Sequence, residues 1–281
     1  MEIYIFRESA PTHQIENNRE QRNLNLFLTY ASNITDENWP LYQVYFSSAP
    51  RIAGNSQLVC LTDDMDGSHR EKITSHGFMV VDVKRKSKAF FTHRWQAYLE
   101  FMESSDFETV IVTDSRDVLF QSCPFSFCGD EKVHLSHEGF EHGKSEFNMR
   151  DQMSLQLASQ EDLCNFSGWP VVNGGIMMAK KRQACDFAFL MWTNCIARPS
   201  CTDQATMNFL AQHMPLRCLS VHNPNSDSFC LTGEGVKHSF ILEKPFFNEN
   251  KVTKPNGEPF AIFHQWDRTE FADMILKSFI K

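Results

Sequence analysis

Residues 109–113, Thr-Val-Ile-Val-Thr, are apolar or β-branched at every position and offer water no face. A strand of that kind belongs inside a sheet covered by helices on both sides. The preceding hundred residues supply the covering elements. Leu24 to Tyr30 is a β-prone apolar run that stops at Ala31-Ser32-Asn33, and Trp39-Pro40 then opens a segment with Leu41, Val44 and Tyr45 at helical spacing. Gln57 to Leu61 and Phe78 to Val83 read as two more short strands with a polar, helix-like stretch between them. Phe91 to Met102 sets Trp95, Tyr98, Leu99 and Met102 on one helical face. This alternation predicts an α/β fold with a mainly parallel sheet, in which ligands bind beyond the carboxyl ends of the strands. Asp114 stands at that edge.

Further along, the pattern loosens from Phe125 to Trp169, and Val171 to Met178 reads as a strand interrupted by Asn173-Gly174-Gly175. Phe187 to Asn194 and Asp203 to His213 are helix candidates, with Pro199 breaking the chain between them. No repeat or long linker marks a boundary, and 281 residues with 42% apolar content suffice for one large core, so a single domain is expected.

Composition removes several classes of function. A formal charge of -8 argues against nucleic-acid binding, which needs clustered cations, and the one basic run, Lys84 to Lys88, reads as a solvated turn. No run approaches the roughly eighteen apolar residues of a membrane span, and residues 1–32 lack the apolar stretch of an export signal. Nine scattered cysteines without paired CxxC spacing suggest reduced thiols, and Cys123 and Cys128 have no second pair to complete a zinc site. A soluble, cytoplasmic protein is the expectation.

The strongest chemical signal follows the central strand: Asp114-Ser115-Arg116-Asp117, then Val118-Leu119-Phe120 returning to the core. Two carboxylates on a tight turn suit magnesium or manganese, which keep coordination positions open for phosphate oxygens. A turn with capping aspartates would read the same way taken alone. Three later segments carry further candidates: Asn173-Gly174-Gly175-Ile176, Thr202-Asp203-Gln204, and Phe263-His264-Gln265-Trp266-Asp267-Arg268. Each has a plain structural reading, as a β-bulge, a helix cap and a core histidine.

In this order the four motifs resemble those of the GT-A glycosyltransferases, from Leu24 to Arg268. The resemblance implies a GT-A fold with a nucleotide-binding half over about residues 20–125. An acceptor-binding half and C-terminal metal-ligand segment would occupy about 126–281. It implies Mn2+ or Mg2+ held by Asp117, Asp114 and His264. The family's Asp-x-Asp motif is spelled here with one residue more. Aligned on Val118, Asp117 takes the metal, while Asp114 faces the ribose or a metal-bound water. The nucleotide sugar would meet Tyr30, Ala31, Asp114, Ser115, Arg116, Asn173, Gly174 and Gly175, with Arg94 and Arg268 on phosphate. Asp203, with Asp114, is the catalytic carboxylate so implied, but two positions past Asp203, where many inverting relatives keep their base, stands Ala205. The spelling of the first and last motifs is similar to small stand-alone transferases of microbial and large algal-virus origin, xylosyltransferases among them. The implied reaction moves a sugar from a nucleoside diphosphate sugar, a UDP-sugar and at the finest UDP-xylose, to a hydroxyl of a glycan acceptor.

Other constellations fit less well. Asp63, Asp64 and Asp66 suggest a calcium loop, but Ile73 would fill its twelfth position. His134, His137 and His142 are too loosely spaced for a zincin and are expected on a mobile loop near the site. There is no Walker sequence or GxSxG elbow, and Arg116 breaks the register of an aspartyl phosphohydrolase. A sugar-nucleotide pyrophosphorylase would need a Gly-rich loop that Phe27 to Asn33 lacks. A silent sugar-binding module would have no use for intact Asp117 and His264.

Overall fold

The computed structural model describes residues 24–153, 166–199, 201–224, 228–238, 244–249 and 251–280. Most of the polar leader, and 154–165 within the loosely patterned stretch, lie outside them.

Four parallel strands form one side of a seven-stranded sheet: β1 (Asn25–Tyr30), β2 (Gln57–Thr62), β3 (Met79–Asp82) and β4 (Thr109–Thr113). The helices between them are α1 (Trp39–Ala53), α2 (Gly67–Ser75) and α3 (Phe90–Ser104). Pro40 sits in the first turn of α1, where its missing N–H costs nothing, and Asp66 caps α2 by accepting from the His69 N–H at 2.9 Å. Period-two alternation divides the core: Leu26, Leu28, Val110 and Val112 pack with Trp95 and Met102 on one face, and Phe27 and Ile111 with Tyr45 and Phe46 on the other. Every residue of β4 is buried, as its lack of a polar face requires.

After β4 a turn leads to β5 (Val118–Phe120), which leaves the large sheet. Beyond it come β6 (Val133–Glu141), α4 (Glu146–Met153), β7 (Pro170–Lys180), α5 (Lys181–Ala197), α6 (Asp203–His213) and β8 (Leu219–His222). The large sheet runs β3-β2-β1-β4-β7-β6-β8, with β7 antiparallel to both neighbours. The sheet is therefore mixed, and Asp114 directly follows β4 at the carboxyl end of its four parallel strands. β7 continues through Asn173-Gly174-Gly175 instead of breaking there. Its register against β6 slips at this point: Leu135 lies opposite Met177 while His137 lies opposite Val172, so the extra β7 residues bulge toward the end of β4. His134 and His137 are strand residues of β6, not loop residues; alternating Val133, Leu135 and the surrounding hydrophobic core bury this polar-looking segment.

Two short strands, β10 (Phe246–Asn248) and β11 (Lys251–Thr253), pair antiparallel, and a further sheet packs β12 (Ile262–His264) between β5, antiparallel, and β9 (Cys230–Thr232), parallel. Its register sets His264 opposite Val118, so the histidine arrives beside Asp117. The helix α7 (Gly233–Lys237) follows β9, and α8 (Ala272–Phe279), which has no counterpart in the sequence expectations, closes the third core cluster around Phe263, Trp266 and Phe271. Among the described residues no helix is long and apolar enough to cross a membrane.

Candidate active site

The turn after β4 is tied down by its backbone. The Asp114 N–H donates to the Gly175 carbonyl at 2.8 Å, the Ser115 hydroxyl to the Tyr30 carbonyl at 3.1 Å, and the Gln265 N–H to the Asp117 carbonyl at 2.7 Å. The two acidic side chains then project from a frame held by β7, β1 and the end of β12. His264 Nε2 lies 3.1 Å from Asp117 Oδ1 and 3.6 Å from Asp114 Oδ2, and one ligand atom from each of the three lies within 4.8 Å of the others. Adjacent ligands of an octahedral ion with bonds of about 2.1 Å lie about 3 Å apart, so this spacing and this oxygen-oxygen-nitrogen set fit a divalent cation with open positions remaining.

Glycine makes the convergence possible. A Cβ on Gly175 would stand 2.4 Å from both Asp114 Oδ2 and His264 Cε1, and one on Gly174 would stand 2.8 Å from the Gln204 backbone at the start of α6. The two glycines thus let β7 approach the cluster on one side and α6 on the other.

The charges follow the geometry. Burial works against ionisation of Asp114, but Arg94, whose Nη1 donates to Oδ1 at 2.7 Å, and His264 outweigh it and hold the carboxyl below the usual range. Burial likewise opposes charge on His264, yet Asp117 and Asp114 raise its pKa to about 10 when no cation is bound. Glu138, on β6 behind the cluster, is pushed up to about 7 by burial, which its hydrogen bond from Asn173 only partly offsets.

Sequence-derived candidates separate into three groups. Asp114, Asp117 and His264 form the cluster. Arg116 and Arg268 stand at its open side: Arg116 is exposed and lies 3.7 Å from Asp267, while Arg268 donates to Glu234 at 2.7 Å and lies 4.0 Å from Asp117. The others are buried. Tyr30 ends β1 and Ala31 follows it beneath the turn, Ser115 spends its hydroxyl on the Tyr30 carbonyl, and Asn173 is fully enclosed behind His264. Arg94 is also enclosed, with Asp114 at one end of its guanidinium and Asp203 at the other. Thr202 caps α6 by accepting from the Ala205 N–H at 3.0 Å, which frees the Asp203 carboxylate to bind Arg94 and the Trp95 indole N–H. A narrow pocket lined by Arg94, Trp95, Tyr98, Asp114 and Gly175 opens beside the cluster.

Sequence reasoning missed Glu138, Trp95 and Glu234. The sequence places Trp95 only on a helix face, and nothing in the spelling of β6 distinguishes Glu138 from a surface acid.

No protein family matches the chain at the level of sequence, and no curated protein does. Solved structures do match. The galactosyltransferase LgtC, in a complex with donor and acceptor sugar analogs, aligns over 92% of this chain and 97% of its own, with TM-score 0.55 and 15% identity. An active-site mutant of LgtC aligns over 90% and 94%, with TM-score 0.57 and 15% identity. The architecture described above is thus that of the GT-A fold.

Proposed function

We propose that this protein is a metal-dependent glycosyltransferase that moves a sugar from a nucleoside diphosphate sugar, a UDP-sugar in our reading, to a hydroxyl of a glycan acceptor. The observation that carries the reading is the convergence of Asp114, Asp117 and His264, with one ligand atom of each within 4.8 Å of the others, at the carboxyl edge of the parallel strands. That an LgtC structure contains donor and acceptor sugar analogs supports the same class of reaction.

A divalent cation, Mn2+ or Mg2+, bound by these three residues would offset the charge that grows on the diphosphate as the sugar leaves. Arg268 and Arg116 are the cations free to add to that effect, since both are partly exposed at the open side. Arg94 has a different task in this proposal. Its guanidinium is committed to Asp114 and Asp203, so it fixes the first carboxylate and lines the narrow pocket beside the cluster. Asp203 is then a positioning residue and not the proton acceptor.

The test is a panel of UDP-sugars, UDP-xylose included, assayed for Mn2+-dependent release of UDP by the wild-type protein and by Asp117→Ala. Turnover or nucleotide binding by the wild type and loss of at least a hundredfold in the variant is expected. Absence of both from the wild type with every donor and cation would sink the reading.

A further inference from the structure

Behind the three candidate ligands lies a layer that the proposed reaction does not use. Glu138 is 1% exposed, and its Oε1 accepts a hydrogen bond from Asn173 Nδ2 at 2.9 Å. Asn173 is wholly buried, and its Oδ1 faces two nitrogens: the Gly175 backbone nitrogen at 2.9 Å and His264 Nδ1 at 2.8 Å. A backbone N–H can only donate. The atom it meets on Asn173 must therefore be the carbonyl oxygen, and the amide cannot be turned over. It follows that His264 Nδ1 carries a proton and donates to the same oxygen. Nε2 is then the nitrogen left facing Asp117 and Asp114.

Glu138 itself needs an explanation. A buried carboxylate is costly, and glutamine at this position could accept the same bond from Asn173 without carrying a charge inward. What the carboxylate adds is polarisation. It pulls on the amide N–H of Asn173, which strengthens the amide oxygen as an acceptor and so makes the far nitrogen of the imidazole a better electron donor. The three groups come from β6, β7 and β12, on two different sheets, and meet at one point.

We infer that Glu138 and Asn173 are positioning residues that fix the tautomer and strengthen the donor atom of His264 for a divalent cation. The inference rests on the reading of Asp114, Asp117 and His264 as a cation site. It differs from a purely structural role in what it demands of the protein: cation affinity falls while the fold stays.

Mn2+ affinity, read from the electron paramagnetic resonance of the free ion, and Tm in EDTA are measured for the wild type, Glu138→Gln, Asn173→Ser and the double variant Glu138→Gln/Asn173→Asp. The double variant exchanges amide and carboxylate, so that an acceptor still faces Nδ1 and a donor still links the pair. Both single variants are expected to weaken Mn2+ binding about tenfold to a hundredfold, the usual effect of removing a partner of a metal-bound histidine. Glu138→Gln keeps the wild-type Tm in EDTA, and the exchanged pair recovers affinity to within about fivefold. In the Mg2+-saturated wild type, nitrogen NMR shows His264 Nδ1 protonated, and that signature is lost or shifted in Asn173→Ser. Wild-type Mn2+ affinity in both single variants would overturn the inference and leave the cation site standing. A lowered Tm with unchanged affinity per folded molecule would reduce the pair to a structural link. Failure of the wild type to bind Mn2+ or Mg2+ would remove the cation site and the inference together.

Discussion

Arg94 and Arg268 are both arginines beside the acidic turn, one next to Asp114 and the other near Asp117, and the sequence suggested phosphate binding for both. Their surroundings divide them. The Arg94 side chain is 10% exposed, stacked near Phe90 and Phe91, and bound at both ends by carboxylates. Burial opposes its charge, and Asp203 and Asp114 more than compensate, so it remains protonated. Arg268 is 42% exposed and has one close partner, Glu234, leaving part of its guanidinium toward the cluster's open side. An arginine with all its strong partners inside the protein sets geometry, whereas one with partners to spare can meet a ligand.

The largest change in stability is expected at Arg94. Arg94→Met would leave Asp114 and Asp203 without their shared cation, and loss of one partner from a buried pair costs about 3–5 kcal/mol. Urea denaturation should show a loss of that order; a change under about 1 kcal/mol would place Arg94 with the surface arginines.

Next in size is Gly175→Ala, which tests the frame between the two arginines. A Cβ there would press on Asp114 and His264 at 2.4 Å, neither of which can swing away without dismantling the cluster. We expect about 1–3 kcal/mol of destabilisation, the range for overpacking, together with loss of Mn2+ binding by calorimetry. Retained affinity would mean that the cluster adapts more freely than its packing implies.

The pH dependence of cation binding comes third. In the cation-free protein the pKa of His264 is about 10, above its ordinary value of 6.5, because the attraction of Asp117 and Asp114 exceeds the penalty of burial. The raised value contributes stability fully present below pH 6.5 and lost as the pH climbs through about 10. A cation on Nε2 must displace the proton, so binding tightens as pH rises. Mg2+ titrations at about pH 7, 8 and 9 should show up to about tenfold tighter binding per unit, with close to one proton released. A flat profile would exclude His264 as a ligand.

The smallest effect on the fold is expected at Arg268. Its pair with Glu234 is partly exposed, so Arg268→Ala should change stability by less than about 1 kcal/mol. Affinity for a nucleoside diphosphate, measured with Mg2+ present, should nevertheless fall about tenfold, as for loss of a charge-assisted contact to phosphate. Equal effects of Arg94→Met and Arg268→Ala on stability would erase the distinction.

Legibility in the sequence varied with the kind of signal. β4 and the acidic turn could be read because a strand buried on both faces has a spelling unlike a helix's or a loop's. β1 and β2 were legible for the same reason, with ends that moved by only one residue, whereas β3, which is exposed or half-buried throughout, could be read only from its short apolar run. β6 was not: His134, Ser136, His137 and Glu138 look like a polar loop until the core and β7 cover them. α5 begins at Lys181, well before the apolar segment that marked it, since its first turn is polar. In the site, His264 could be placed by its position after an apolar run. The enclosure of Arg94 and Asp203 could not, because a salt bridge spanning more than a hundred residues leaves no local trace.

Short stretches of sequence set the α/β alternation, the strand that delivers Asp114, and the residue types able to hold a cation. These depend on periodicity and side-chain chemistry, which are properties of short segments. Tertiary structure alone decided that β12 would pair with β5 to bring His264 to Asp117, that Gly175 would leave room for both, and that one arginine would be enclosed while another stayed partly open. Register, close approach and burial arise only between segments far apart in the chain, and they turn a set of candidate residues into a site.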